Sequence, residues 1–436
     1  MKKLLVALLM VALCAAAWAG GGEEQPEGPI TLRIMGSESA FTTPWIESWN
    51  AQNPNVQVTR EEENHAKWIA DYLAGSPADL LYFPLGFELS YFVNRGMLLD
   101  LTEYFENSDV IDMDDIDVNG SGSYQYDGVN SATGSWYGLP KDFNNVTAIT
   151  YNREIFDAAG LPYPSATEPM TYDEFEALAA QLVQKGPDGN TVVFGTEVHG
   201  IWYKLIASDM AYMRGLSLLD EDGYMNDEPA VRDIWKYLLR LRKSGISSSP
   251  ADPLSGWAGS AFQSGNVGMV QLGYWYGASS AEVEGYEEKF GWAPAPVMDK
   301  GGMRVTNTLG ASGFVISALT EYPDQTFEVF EWYMAGEPGI ERAVTGWGIP
   351  PLKSLQPMLP EESEYDRVRK EIALEESKYF RPPQLSTYVR TTAYDGPWEE
   401  AKNAYLEGNV TADEALDMFF EAMNANIDLG RQELGL

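Results

Sequence analysis

Carboxylates and aromatic rings are the side chains with which this sequence could do chemistry. Its 436 residues include 65 Asp and Glu, 13 Trp, 24 Tyr and 17 Phe, but only two His and one Cys. Two carboxylates on either side of a sugar bond would make a glycosidase, although the spacing does not select any pair from the 65. The absence of G-x-S-x-G, H-E-x-x-H and G-x-x-x-x-G-K-[ST] motifs argues against serine hydrolases, zinc proteases and P-loop NTPases.

One string is similar to the first half of a calcium-binding loop. Residues 115–120 read D-x-D-x-N-G, but the twelfth position is Tyr126, where the loop needs a bidentate Glu. Asp, Asn and Gly are also common in tight turns for local reasons. A turn is therefore the favoured interpretation, calcium binding by this loop stays an open alternative, and we expect no metal site and no cofactor.

The charge balance limits the possible partners. The formal net charge is −36, which would repel a phosphate backbone, so we expect no nucleic-acid partner. Hydrophobic residues make up 44% of the chain, enough for large buried cores rather than disorder. The acidic excess favours a soluble monomer.

The N-terminus has the three parts of a secretory signal. Lys2 and Lys3 precede an apolar stretch, and Ala17 and Ala19 form an A-x-A cleavage pattern. We therefore predict a signal peptide over residues 1–19 and a periplasmic or otherwise extracytoplasmic protein. In the alternative interpretation Cys14 is lipidated, but Leu13 replaces the small residue that such processing favours.

The mature chain begins with alternating strands and helices. Residues 31–35 predict a strand, the region around Trp45 and Trp49 a helix that stops near residues 53–54, and residues 56–58 a second strand. Residues 79–83 predict a buried strand, and residues 88–94 a helix that ends at Gly96. This order predicts a mainly parallel α/β sheet.

Two capping boxes mark later helices. Thr171 and Glu174 can each bond the other's backbone N–H, which predicts a helix from there to about Lys185. Thr411 and Glu414 repeat the pattern before an apolar stripe that is typical of a core-facing helix.

The chain resembles family 1 extracellular solute-binding proteins, the maltose-binding-protein-like sugar receptors of ABC importers. The matching residues run in the family's order behind a signal peptide. They are Ala78-Asp79-Leu80, Gly96 to Leu101, Gly134 to Pro140, Ile149 to Phe156, Ala159-Gly-Leu161, Pro164, Thr171 to Phe175, Phe262 to Met269, Gly273-Tyr-Trp275 and Gly348-Ile-Pro350.

The resemblance implies an α/β, type II-like periplasmic-binding-protein fold with two discontinuous lobes and a hinge. Lobe one would comprise residues 28–141 and 309–351, and lobe two residues 146–307 and 353–436. Three short chain crossings would join the lobes, and the ligand would lie in the cleft between them.

A sugar has an apolar ring face and a rim of hydroxyls, so its receptor needs flat aromatic rings and short polar groups. The resemblance implies Trp275 as the main platform of lobe two, with Phe83 facing it from lobe one, where Trp is common in the family. Trp202, and Tyr394 or Trp398 near the C-terminal helices, are further candidates. Core packing is the alternative role for each ring.

Polar candidates follow the first two predicted strands, because open α/β sheets bind ligands at the ends of their strands. Ser37 and Glu38 follow the first strand, and Glu63 and Asn64 follow the second. The resemblance places Asn145 at the hinge, where a carboxylate is common in the family. Asn145 can donate and accept hydrogen bonds without carrying a charge.

His199, close to Trp202, completes the candidate site, with a structural role as its alternative. From the resemblance we expect an importer receptor that is not an enzyme, closes on a sugar or oligosaccharide, and delivers it to ABC permease subunits. The alternative function is a secreted carbohydrate-active enzyme, either a glycosidase or a lyase, which would convert the sugar instead of returning it unchanged.

Overall fold

The structure, a computed structural model, describes residues 28–83, 86–198, 200–307 and 312–436. The expected signal peptide with Cys14, the candidate His199 and the hinge boundary at Leu309 lie outside the described residues. Among the helices of the described residues, none combines the length and the apolar character needed to cross a bilayer.

Strands of the described chain form two five-stranded sheets and one two-stranded ribbon. In chain order they are β1 (Ile30–Met35), β2 (Val56–Glu61), β3 (Leu80–Phe83), β4 (Gln125–Tyr126), β5 (Ser135–Trp136), β6 (Gly138–Pro140), β7 (Ile149–Asn152), β8 (Gln184–Lys185), β9 (Thr191–Glu197), β10 (Val267–Gln271), β11 (Phe290–Ala293) and β12 (Gly313–Ile316).

Helices of the described chain cover the sheets and build most of the C-terminal third. They are α1 (Thr43–Gln52), α2 (His65–Leu73), α3 (Leu89–Val93), α4 (Thr102–Glu106), α5 (Val118–Ser121), α6 (Arg153–Ala159), α7 (Tyr172–Leu182), α8 (Tyr203–Met213), α9 (Pro229–Lys243), α10 (Ala258–Gln263), α11 (Tyr276–Ser280), α12 (Tyr286–Lys289), α13 (Pro323–Ala335), α14 (Glu337–Thr345), α15 (Glu364–Glu376), α16 (Asp395–Glu407) and α17 (Ala412–Glu433).

The first sheet has the order β2-β1-β3-β12-β6 and forms the centre of lobe one. Strand β1 runs parallel to β2 and β3, whereas β12 runs antiparallel to both β3 and β6. Strand β12 follows every strand of the second sheet in the chain, so the chain returns to complete lobe one. This return makes the lobe discontinuous.

The second sheet has the order β11-β7-β10-β9-β8 and forms the centre of lobe two. Strands β9 and β10 are parallel, and the other neighbouring pairs are antiparallel. Helix α7 lies so close to β9 that a Cβ on Gly195 would stand 1.9 Å from the Ala179 carbonyl oxygen. Only glycine permits this approach.

The predicted early elements are confirmed: β1, α1, β2, β3 and α3 occupy the expected places. Both capping boxes are also present, at the starts of α7 and α17. The first sheet is mainly parallel, as expected, because β1, β2, β3 and β6 run in one direction and β12 runs against them. The second sheet differs from that expectation, since three of its four neighbouring pairs are antiparallel.

Helix α7 ends at Leu182, earlier than the predicted Lys185. Val183 has an extended backbone, and residues 184–185 instead form β8 on the edge of β9. A tight turn closes this hairpin, in which the Gly186 N–H donates to the Asn190 carbonyl at 2.8 Å. Pairing with β9 satisfies backbone hydrogen-bonding groups of this segment outside the helix.

Two of the expected chain crossings meet at the buried carboxyl of Asp209 on α8. The Thr147 hydroxyl donates to it at 3.2 Å from the first crossing. The Asn307 amide, on the second crossing, donates to both of its oxygens at 3.1 Å. Burial raises the pKa of Asp209 well above its ordinary value. This carboxyl therefore ties both crossings to lobe two.

A 3₁₀ helix begins directly at the predicted third crossing, residues 351–353. This helix, Lys353–Met358, packs on lobe one, where Leu355 joins the hydrophobic core. The Ser354 N–H donates to Asp115 Oδ1 at 2.8 Å, and Gln356 donates to Asp117 Oδ2 at 3.0 Å. Hydrogen bonds and core packing therefore hold this helix against the residues of the first sheet's lobe.

Those two aspartates belong to the calcium-like string. The Asp115 carboxylate also accepts the Ser354 hydroxyl at 2.6 Å, and the Asp117 carboxylate caps α5. Both carboxylates are therefore engaged by protein donors, as expected for a structural turn. Within the described ranges, no group of three or more His, Cys, Asp or Glu is placed to hold a metal ion.

Candidate functional site

The two sheets present the ends of their strands to each other across the hinge. In lobe one, the parallel strands β1, β2 and β3 end at the same edge as β6. In lobe two, β9 and β10 end at the edge where β7 begins. Residues 141–148 run directly from the first edge to the second, so these edges form the two walls of an interlobe cleft.

A tight turn after β10 carries Trp275 on the wall of lobe two. Gly273 opens the turn with φ +80°, and a Cβ there would meet Val146 Cα at 3.0 Å. Two hinge residues hold the following backbone: Asn145 Oδ1 accepts the Tyr274 N–H at 3.2 Å, and Asn144 Oδ1 accepts the Trp275 N–H at 2.7 Å. The first chain crossing thus positions Trp275 directly.

This arrangement defines the role of Asn145. Its side chain is buried, with 1% of the residue exposed, and its carboxamide oxygen is used by the turn. In the structure Asn145 positions the backbone before Trp275. The neighbouring Asn144, which sequence reasoning did not name, has the same function.

Three tryptophans form a connected aromatic wall. The half-buried Trp275 ring meets Trp202 edge to face at 6.4 Å between centroids. On its other side it is nearly parallel to Trp257, at 6.1 Å and 15°. Trp202 is 6% exposed and supports the wall from behind, whereas Trp257 is 39% exposed.

Trp257 and Trp347 are aromatic residues that sequence reasoning missed. Trp257 directly precedes α10, and β10, which follows that helix, leads to the turn that carries Trp275. Trp347 is 44% exposed. It precedes Gly348, where a Cβ would stand 2.4 Å from the Asp142 side chain, so it lies beside the first chain crossing.

Polar groups collect on the wall of lobe one. Ser37 lies 3.2 Å from Ser39 between their hydroxyl oxygens, and it hydrogen-bonds to Glu63. Burial raises the pKa of the Glu63 carboxyl, and the Ser37 hydrogen bond opposes that shift. Tyr82 at the end of β3 hydrogen-bonds to Ser312, and burial raises the pKa of its phenol. The structure thus brings the candidates Ser37 and Glu63 together and adds Tyr82.

Glu38 and Asn64 accept hydrogen bonds at the starts of helices α1 and α2. Glu38 accepts hydrogen bonds from the Thr43 N–H at 2.8 Å and from the Thr43 hydroxyl at 3.0 Å, and it pairs with Arg60. These contacts, the Thr43 N–H above all, lower the pKa of Glu38. Asn64 caps α2 by accepting the Lys67 N–H at 2.9 Å. Both residues lie near the cleft, with their acceptor groups already engaged.

Three predicted aromatic contacts lie in hydrophobic cores instead of the cleft. Phe83 is 0% exposed and packs on Phe92, with ring centroids 5.0 Å apart. Tyr394 and Trp398 are 1% and 3% exposed, and Trp398 stacks on Tyr203 at 4.8 Å. The prediction that these rings face a ligand is therefore wrong for this structure, because neighbouring rings already cover them.

A buried polar cluster joins the lobes beside Phe83. Glu88, 2% exposed in lobe one, accepts hydrogen bonds from the C-terminal part of lobe two. The donors are the Thr391 N–H at 2.8 Å, the Thr391 hydroxyl at 2.6 Å and Arg390 Nη2 at 2.8 Å. This cluster is an interlobe contact that sequence reasoning missed, since its partners are 302 residues or more apart.

His65 extends the same cluster. Its Nδ1 lies 3.0 Å from Arg390 Nη2, and its Nε2 lies 3.0 Å from the Tyr82 carbonyl oxygen. A neutral ring with its proton on Nε2 satisfies both contacts. Burial lowers the pKa of His65 below its ordinary value, and the positive charge of Arg390 adds to this effect.

Sequence and structural comparisons place the chain among known proteins. A sequence model described as "Bacterial extracellular solute-binding protein" matches residues 35–335. Comparison with curated protein sequences gives no significant match.

Three solved structures illustrate the similarity of the fold. An ABC substrate-binding protein from Listeria monocytogenes in complex with cycloalternan has a TM-score of 0.75 at 20% identity, over 92% of this chain and 99% of that one. A solute-binding protein from Thermotoga lettingae bound with α-D-tagatose has 0.71 at 19%, over 92% and 100%. The sugar-binding protein MalE from Xanthomonas citri has 0.69 at 17%, over 93% and 99%.

Proposed function

Since the chain belongs to the bacterial extracellular solute-binding proteins, we propose that it is the receptor of an ABC importer and binds a neutral sugar or oligosaccharide in the interlobe cleft. The aromatic wall of Trp202, Trp275 and Trp257 is the observation that carries this proposal. Its central ring is held by hinge residues and lies at the edge where the lobes meet.

The two walls match the two kinds of surface on a sugar. Trp275 supplies a flat apolar ring for the C–H face of a pyranose. Ser37, Glu63 and Tyr82, on the opposite wall, supply hydroxyl and carboxylate groups for its hydroxyl rim. The similar solved proteins from Listeria and Thermotoga are complexes with cycloalternan and tagatose, which supports a carbohydrate as the ligand class.

Binding is coupled to closure of the lobes. Each wall carries part of the site, so only the closed state makes both sets of contacts, and the ligand shifts the population towards it. Moving a 99:1 open ensemble to 1:99 needs about 5.5 kcal/mol of differential binding. A micromolar ligand supplies about 8 kcal/mol in total, which is sufficient. The permease would then distinguish a loaded receptor by its shape.

The protein acts by binding alone, without turnover, in line with its family. Two buried carboxylates have structural roles: Asp209 joins the crossings, and Glu88 joins the lobes. Incubation of candidate oligosaccharides with the protein, followed by chromatography, checks this point. A receptor returns its ligand unchanged, whereas a glycosidase or lyase yields shorter products.

Export follows from the predicted signal peptide over residues 1–19 and from membership of an extracellular family. The permease partner would therefore contact the protein outside the cytoplasm. We expect the receptor itself to be a monomer, because its acidic surface disfavours association with other copies.

A thermal-shift panel of monosaccharides and oligosaccharides is the direct test. A ligand at 100 times its Kd stabilises the folded protein by about 2.7 kcal/mol, which gives a clear rise in melting temperature. Small-angle scattering with that ligand then tests closure. If no carbohydrate shifts the melting of well-folded protein, the proposed function is wrong; an unchanged radius of gyration at saturation contradicts closure alone.

A further inference from the structure

A second recess opens on lobe two beyond the aromatic wall. It encloses about 440 Å³ and lies between the end of β9, the start of α10 and helix α16. Its lining includes Gly200, Ser249, Trp257, Glu399, Lys402 and Asn403. Trp257 is thus shared: its ring stacks on Trp275 and also lines this cavity.

The ring of Trp257 is held in place by its surroundings. A Cβ on Gly259 would stand 2.0 Å from the indole, so the helix backbone packs directly on the ring. Tyr276 meets the indole edge to face at 5.9 Å. A ring that is 39% exposed and held on two sides is a preformed stacking surface, since little side-chain entropy is lost when a ligand covers it.

The inner part of the cavity is held together by an ion pair and hydrogen bonds between its own residues. Arg242 Nη2 lies 2.9 Å from Glu197 Oε1. The other oxygen of Glu197 accepts the Ser248 N–H and the Ser247 hydroxyl, each at 2.9 Å. Arg242 also donates to the Val198 carbonyl at 2.8 Å. The cavity therefore keeps its shape without a ligand.

The rim of the cavity offers polar groups with balanced charge. Lys402 Nζ donates to Glu399 Oε1 at 2.5 Å, and this lysine is 8% exposed. An ammonium has three donors, and the Glu399 carboxylate has several lone pairs, so each can also bind a hydroxyl. One cation and one anion at the rim, above the internally paired Arg242 and Glu197, suit a neutral polyhydroxylated ligand.

We propose that this cavity is an outer saccharide subsite, in which a further ring of an oligosaccharide stacks on Trp257 while an inner ring lies on Trp275. The inference rests on the proposed function and goes beyond it, because it makes the ligand an oligosaccharide and makes chain length a determinant of affinity. Trp257 is then a specificity residue for the outer ring, and Lys402 and Asn403 bind its hydroxyls.

Calorimetric titration with two homologous series tests the proposal. The probes are glucose to maltotetraose and mannose to mannotetraose, titrated into the parent protein and the Trp257→Ala, Lys402→Met and Trp275→Ala variants. Tyr163→Ala is the matched control. Tyr163 is 44% exposed on lobe two and lies beyond α6, near the opposite end of β7.

In the parent protein, we expect affinity to rise about tenfold at one added ring, the order expected for one stacked aromatic contact. Trp257→Ala should remove that rise, so that the longer ligand loses more affinity than the shorter one. Lys402→Met should reduce the rise, whereas Tyr163→Ala should keep it. Trp275→Ala should weaken every chain length.

Two results would overturn the inference while leaving the proposed function in place. One is a parent affinity that does not rise with chain length, which includes a preference for monosaccharides. The other is a Trp257→Ala variant that weakens all lengths equally, which would make Trp257 part of the inner site. If neither series binds to the well-folded parent protein, the outer subsite is rejected for these sugars, and the wider thermal-shift panel decides separately on carbohydrate binding.

Discussion

The two walls of the cleft are built from different chemistry. Lobe two presents indole rings, with Trp275 held by backbone bonds to hinge asparagines. Lobe one presents hydroxyls and a carboxylate at strand ends, with Ser37 bonded to Glu63. The aromatic wall offers apolar contact area, and the polar wall offers hydrogen bonds that depend on direction.

Under the proposed function, this difference gives the two lobes separate tasks. Stacking on a rigid ring needs no precise partner geometry and can hold a ligand in the open state. Hydrogen bonds to hydroxyls need fixed distances, so they form only when closure brings lobe one to the ligand. The comparison therefore predicts that changes on lobe two alter the affinity of the open state, whereas changes at the interlobe contacts alter closure.

The largest expected effect comes from the buried contact between the lobes. Glu88→Ala removes the acceptor of hydrogen bonds from Arg390 and Thr391. Truncating one partner of a buried pair costs 3–5 kcal/mol, and partial exposure of Arg390 reduces this to roughly 2 kcal/mol. We expect affinity for the identified sugar to fall about thirtyfold by calorimetry.

Glu433→Ala is the matched control for that variant. Arg95 and Glu433 also pair across the lobes, but the Glu433 side chain is 61% exposed. A solvent-exposed pair contributes about 0.5 kcal/mol, so the expected change in affinity is about twofold. Equal losses in the two variants would show that burial at Glu88 does not govern closure.

The second prediction concerns the aromatic wall itself. Trp275→Ala removes roughly 50 Å² of stacked ring face, worth about 1.3 kcal/mol, so affinity should fall at least tenfold. Circular dichroism should show an intact fold, since the ring is only half-buried. Unchanged affinity would mean that Trp275 only packs against its neighbours. The two lobes would then not have the separate roles in binding described above.

The third prediction is a pH dependence of closure. His65 has a pKa below its ordinary 6.5, mainly through burial, so its neutral form is favoured when the lobes are in contact. That stabilisation is present above about pH 6.5 and is lost as the pH falls through the lowered pKa. We expect affinity to fall several-fold between pH 7 and pH 5.

His65→Gln, which does not titrate, should remove this dependence. The comparison with the parent separates the effect of His65 from that of Glu376. Burial raises the pKa of Glu376 to about 7, so Glu376 titrates in the same pH range, but its effect on stability has the opposite sign. Its stabilising effect is lost as the pH rises. An identical profile in parent and His65→Gln would exclude His65 as the origin.

The smallest expected effect on binding is at Phe83. Phe83→Leu should lower the free energy of unfolding by about 1 kcal/mol, because the ring packs in the core of lobe one. Affinity should stay within about twofold, as measured by urea unfolding and calorimetry on the same samples. A tenfold loss of affinity at unchanged stability would make Phe83 a ligand platform after all.

Local sequence signals determined much of the framework. The capping boxes at Thr171 and Thr411 begin α7 and α17 because each box satisfies backbone donors within three residues. The early strand and helix order is likewise local, since apolar periodicity and Pro or Gly stops lie within each element. The family resemblance named Trp275 as the platform of lobe two, and the structure shows that the turn after β10 holds it against a hinge asparagine.

Tertiary structure alone decided which candidate rings are covered. Aromatic side chains are typical of a sugar-binding site, but residues far along the chain bury the rings of Phe83, Tyr394 and Trp398. The same nonlocal packing exposes Trp257 and joins Glu88 to Arg390 across 302 residues. The sequence by itself therefore determined helix starts, strand positions and family, because these depend on neighbouring residues. Burial, antiparallel returns and contacts between the lobes depend on which distant segments meet, and only the folded chain decides that.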